Sequence, residues 1–74
     1  MKFNYLKLQG RIKEKGLTQS DVAKAIGLTA STFSIKIGNK SAFTQKEIRQ
    51  MCDLLEIDKP EIGSYFFTLE VQFS

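Results

Sequence analysis

Thr29, Ser31, Thr32 and Ser34 place four hydroxyls in one short stretch, with Ala30 and Ile35 set among them. A hydroxyl both donates and accepts hydrogen bonds, and residues this small let a backbone come close to another molecule, so the chemistry on offer is recognition. Catalysis lacks its usual parts: there is no histidine, no glycine loop of the phosphate-binding kind, and no paired nucleophile and base. Asp53, Glu56 and Asp58 read as a solvated helix end, and no enzyme is expected. The single cysteine, Cys52, cannot form an internal disulfide. Without histidine the common zinc ligand sets are missing too, so its expected place is a helix core. No metal, cofactor or small-molecule ligand is implied.

The hydroxyls belong to the second of two short helical patterns within residues 18–39. Val22, Ala23 and Ile26 recur at helical spacing while Gln19, Asp21 and Lys24 point elsewhere, which predicts an amphipathic helix over 18–26. Thr18 is a good N-cap, and Asp21 puts negative charge in the first turn, where the helix dipole favours it. Gly27 suits a left-handed stop, with Leu28 folding back on the preceding turn. A second helix then opens at Thr29 or Ala30, with Phe33 and Ile37 on its inner face. The small Ala23 lies where the two axes must approach, and the pair reads as a helix-turn-helix.

Other elements must hold this pair. Upstream, residues 4–15 read as a helix with Leu8 and Ile12 inward, helped by Tyr5, and with Lys7, Arg11, Lys13 and Lys15 outward. Gly10 inside it costs about 1 kcal/mol relative to alanine and could permit the close approach of another helix. Gly16 ends the helix, and Leu17 is expected in the core. Downstream, Phe43 stands as a hydrophobic staple before Thr44, and Thr44 with Glu47 has capping-box spacing. Ile48, Met51, Cys52 and Leu55, flanked by Leu54, then give a broad apolar face. Asp58 and Glu61, with Pro60 between them, suit the start of a fifth helix that runs to about Tyr65 and packs Ile62 and Phe66. Beyond it the period changes. Phe67, Leu69, Val71 and Phe73 alternate with Thr68, Glu70 and Gln72, the pattern of a half-buried strand. A lone strand needs a partner, either the same strand of a second copy or a strand at 2–5 of the same chain. The plainer alternative is a disordered or locally packed tail.

Seventy-four residues allow one domain, near the lower limit for a core that folds alone. No apolar run approaches the roughly 18–20 residues that cross a bilayer. The opening MKFNYLKLQG lacks the apolar core and cleavage site of a signal peptide, so a cytoplasmic location with no membrane contact is expected. The net charge of +3 hides an asymmetry. Residues 1–40 carry eight Lys/Arg against Glu14 and Asp21, whereas residues 41–74 carry three against six acids. The basic half contains the helix-turn-helix, as expected of a face that meets phosphates.

Gln19, Val22, Ala23, Ile26, Gly27, Leu28 and Phe33, as spaced here, resemble the helix-turn-helix of the Cro/repressor (Xre-type) family. KEKGLTQ (13–19), GNKSAFT (38–44) and EIRQMCDLLEI (47–57) extend the resemblance over roughly residues 5–57, and it is nearest to small Cro-like repressors of phages and prophages of Gram-positive bacteria. Two positions depart from the pattern. Many members carry an apolar residue where this chain has Lys36, and many end the second helix with Asn-Gly where this chain reads Gly38-Asn39.

The resemblance implies a mainly α, lambda-repressor-like five-helix bundle over residues 1–66, to which the alternation adds a C-terminal strand over 67–74 as a dimerisation arm. Phe67, Leu69, Val71 and Phe73 would form the dimer interface. It places Thr29, Ala30, Ser31 and Thr32 at the end of a recognition helix in the major groove, with Ser34 and Ile35 one turn further along. Hydroxyls serve several bases, whereas Ala30, the threonine methyls and Ile35 favour a thymine methyl. Ile35 could equally be core if the helix is rotated. Gln19, Lys36, Asn39, Lys40, Ser41 and Thr44 fall where the family contacts phosphates. The expected function is a homodimeric, sequence-specific regulator of the Cro-like repressor type. It would bind double-stranded operator DNA and be nucleoid-associated when bound. The alternative is a protein-binding module, antitoxin-like or an antirepressor partner, that uses the apolar C-terminal strand.

Overall fold

The computed structural model describes residues 2–69. Five α-helices follow one another: α1 (Leu6–Glu14), α2 (Gln19–Ala25), α3 (Ala30–Ile37), α4 (Gln45–Leu55) and α5 (Ile62–Phe66), the last entered through a 3-10 turn over Lys59–Glu61. Local chemistry fixes their ends. At α2 the Asp21 N–H donates to Thr18 Oγ1 at 3.1 Å while the Thr18 N–H donates to Asp21 Oδ2 at 2.8 Å. Thr44 and Glu47 repeat this reciprocal pair at α4. Each box satisfies two amides that the helix itself leaves free.

Four of the stops also share one geometry. Gly16, Gly27, Asn39 and Glu56 take left-handed φ values of 73°, 80°, 68° and 55°. The next amide then folds back, Leu17 to the Ile12 carbonyl at 3.1 Å, Leu28 to Ala23 at 2.8 Å, Lys40 to Ile35 at 3.0 Å and Ile57 to Cys52 at 2.9 Å. Glycine adopts this conformation freely, and asparagine is among the few other residues that do so at modest cost. Such tight stops place each helix directly against the next, and α2 and α3 pack on each other most extensively.

The core runs through the middle of all five helices, with Leu8, Val22, Ala23, Phe33, Met51, Leu55 and Phe66 all but inaccessible to solvent. Cys52 joins it as a small hydrophobe. Burial, with Asp53 beside it, pushes its thiol pKa up and keeps it protonated at neutral pH. Phe43 has a larger part than a staple. Its ring meets those of Tyr5, Phe33 and Phe66 at centroid distances of 5.6, 5.6 and 6.4 Å, so one loop residue joins the residue that precedes α1 to α3 and α5.

Several expectations need correction. Helix α1 begins at Leu6, later than residue 4, because Asn4 Oδ1 accepts the Leu6 N–H and closes an extended segment before it. Gly10 faces open solvent, so no helix exploits its missing side chain. Arg11 is turned toward α4 instead of solvent: its Nε donates to the Leu55 carbonyl at 2.9 Å and Nη2 to the Glu56 carbonyl at 3.2 Å. It thereby caps the end of α4 from another helix. Asp58 occupies the cap position of the 3-10 turn, but its side chain makes no capping bond. No sheet forms among the described residues. The alternation after α5 yields an isolated antiparallel bridge between Phe3 and Leu69, with the Asn4 N–H donating to the Thr68 carbonyl at 2.6 Å. Phe67 and Leu69 are 53% and 46% exposed. Val71 and Phe73 lie outside the described residues.

Candidate functional site

At about 3.6 residues per turn, Phe33 and Ile37 point α3 at the core, and Ser31 and Ile35 fall on the opposite side. Phe33 is fully buried, while Ile35 is 46% exposed. This settles the rotation of the helix, with Ile35 outward. Ala30, Ser31 and Ser34 are exposed beside it, and Thr32 is half-buried on the flank. The hydroxyls are not equivalent. Thr29 Oγ1 accepts the Thr32 N–H at 3.1 Å and donates to Thr32 Oγ1 at 2.9 Å, so the Thr29 hydroxyl is spent on starting the helix. Ser31 and Ser34 make no side-chain hydrogen bond among the described residues.

Three of the expected phosphate contacts, Lys36, Asn39 and Thr44, are engaged inside the chain, Thr44 through its capping box with Glu47. The Lys36 ammonium donates to both Glu47 carboxylate oxygens, at 2.6 and 2.9 Å, with each side chain only 11% exposed. Burial alone would raise the Glu47 pKa. The Lys36 ammonium and the Thr44 amide outweigh it, and the pKa is lowered. Glu47 also fills the N-terminus of α4 with a carboxylate, the charge a helix start favours. Asn39 is committed as well: its Oδ1 accepts the Phe3 N–H and its Nδ2 donates to the Phe3 carbonyl, both at 2.8 Å. The side-chain amide acts as one more strand edge for residue 3.

Gln19, Lys40, Ser41 and Thr44 remain at the surface, with Gln19 in the first turn of α2 and the others along the loop from α3 to α4. Lys24, Lys40 and Lys46 are exposed and form no ion pair among the described residues. They stand before α3, after it, and in the first turn of α4. The outer face of α3 is therefore uncharged itself, with exposed cations before and after it along the chain. Such an arrangement can meet a polyanion along its edges while a small, neutral surface fits between them.

Sequence reasoning missed the pairs that cross the chain. Lys15 Nζ bonds Glu56 Oε2 at 2.8 Å and, with Lys36–Glu47, ties the basic half to the acidic half. Lys36 and Glu47 each precede an inward residue, Ile37 and Ile48, and that flank position is the one signal the sequence offered for their pairing. Arg11 and Glu56 offered none. Among the described residues no group of three or more His, Cys, Asp or Glu side chains could hold a metal ion, and no helix is long and apolar enough to cross a membrane.

A protein-family model matches residues 1–69, which takes in every element described above. The chain belongs to DUF739, a family of proteins of unknown function. No curated protein matches it. The DUF739 match thus covers α3 and its flanking lysines together with the Phe3–Leu69 bridge, so both belong to the matched region.

Proposed function

We propose that this DUF739 protein is a sequence-specific DNA-binding transcriptional regulator of the Cro-like repressor type, binding an operator as a homodimer in the bacterial cytoplasm. The observation that carries this reading is the outer face of α3, which is exposed and free of charge, on a helix held in place by Phe33 and preceded and followed in the chain by lysines that form no ion pair among the described residues. The order of the helices and the tight α2–α3 joint support a lambda-repressor-like arrangement with α3 as the recognition helix. Exposed Phe67 and Leu69 support pairing of residues 67–74 across a two-fold axis. Two such helices about 34 Å apart would enter successive major-groove faces of a near-palindromic site and obstruct polymerase by occupancy.

In-vitro selection from random duplexes of about 40 base pairs tests it. Enrichment of two inverted half-sites about one helical turn apart is the expected outcome. A single enriched half-site removes the dimer, and no enrichment removes the regulator. As a control, Ser31→Glu puts a carboxylate on the reading face and is expected to abolish duplex binding with helicity unchanged.

One observation favours a second reading. Leu6, Phe67 and Leu69 are 71%, 53% and 46% exposed, enough apolar surface for a protein-binding module with α3 idle. Association with a protein that survives both Ser31→Glu and high salt would select that reading.

A further inference from the structure

We infer that α3 selects DNA by the C5-methyl groups of thymine, with Ile35 as the specificity-determining side chain. This rests on the DNA-binding reading above and names what kind of site the helix prefers. In the major groove a base is told apart by its donors, its acceptors and, for thymine alone among the four, a methyl group. Bidentate reading of guanine or adenine needs Arg, Lys, Asn or Gln on the reading face. Of the three side chains of those types at the end of α3, Lys36 is held by Glu47 and Asn39 by the Phe3 backbone, and Lys40 lies beyond the helix in the loop to α4. The Thr29 hydroxyl is spent on the helix start.

What is left pointing outward is Ser31 and Ser34, whose single hydroxyls accept several bases, and Ile35, which is 46% exposed. A branched aliphatic side chain in that position gains nothing from water and gains from an apolar group set in a polar groove floor. Charge complementarity directs the same face to a nucleic acid. Lys24 precedes α3 in the chain and Lys40 follows it, both exposed and without ion-pair partners among the described residues, and the Lys40 backbone N–H is bonded to the Ile35 carbonyl, which sets that residue against the last turn of α3.

The experiment uses the full chain and the duplex enriched by selection, with each thymine of a half-site replaced in turn by deoxyuridine, which lacks only the methyl. At one or two positions the wild-type affinity is expected to fall about four-fold, the effect of one methyl-sized apolar group leaving a contact. Ile35→Ala, at an exposed position, is expected to keep its helicity by circular dichroism, to bind the thymine duplex more weakly, and to lose the distinction between thymine and deoxyuridine. Equal wild-type affinity for every deoxyuridine duplex overturns the inference, as does an Ile35→Ala protein that still discriminates. Failure to bind any duplex is a separate result, because it overturns DNA binding itself.

Discussion

The side-chain amide of Asn39 presents a carbonyl and an N–H to the same two backbone groups a neighbouring strand would meet, while its own backbone turns left-handed at φ 68° to end α3. The two roles separate by substitution. Asn39→Gly keeps the turn and loses both bonds to Phe3, for an expected cost of about 1–2 kcal/mol, since the bonds are half-buried. Asn39→Ala loses the bonds and strains the turn, adding roughly 1 kcal/mol more. Thermal unfolding of both proteins checks the order, and equal losses would mean that the turn carries no strain. In the same stretch Gly38, a negative-φ residue, sits 3.1 Å from the Ser34 carbonyl by the position its Cβ would take, so the Gly-Asn order is the one that fits this stop.

Between elements, the decisive contact is Lys36 with Glu47, which fixes the end of α3 to the start of α4. Lys36→Met keeps the apolar stem and strands a carboxylate that is mostly out of water, for an expected loss of about 2–3 kcal/mol in chemical denaturation. The pH dependence follows from the sign of the shift. Because the Glu47 pKa is lowered in the folded protein, its contribution is complete above the ordinary carboxylate range and disappears as pH falls through the lower folded value. Wild type should lose stability on acidification below about pH 4.5, whereas Lys36→Met should start lower and show a flatter acid limb. An unchanged acid limb would remove Glu47 from the account. The helices themselves were legible in the sequence: Thr18, Gly27, Thr44 and the apolar spacing mark their ends and faces by local rules. Legibility stopped where a partner is remote. Arg11 reads as a surface cation until α4 supplies carbonyls for it, and Ile35 could not be oriented until Phe33 was seen to own the inner face. The alternation at 67–73 is a true period-two pattern, but its pairing depends on which edge is offered, and residue 3 offers one.

For the molecule as a whole, three carboxylates neutralise Arg11, Lys15 and Lys36, so the cations available to a polyanion are fewer than the composition suggests. If Lys24, Lys40 and Lys46 are those that meet phosphates, duplex affinity should fall on a log–log salt plot with a slope of about −3 per protomer, near −0.9 for each neutralised phosphate. Lys40→Ala should make the slope shallower by about one without changing the preferred sequence. A slope unchanged by that substitution would place the contact elsewhere. Dimer formation has its own test: Leu69→Lys sets like charges across the supposed two-fold axis and is expected to weaken self-association at least ten-fold in sedimentation. Undiminished association would move the interface away from the C-terminal segment. The bridge between residues 3 and 69 has a further consequence, in time rather than in space. The helix-to-helix joints close short loops, but this one joins nearly the whole described length, and closure entropy grows with the loop. Residues 2–5 should therefore dock last when the chain folds and detach first in native-state fluctuations. Each detachment releases the Asn39 clamp. The amides of Phe3 and Asn4 should then exchange with solvent in bursts of local opening, while Phe33 exchanges only when everything unfolds.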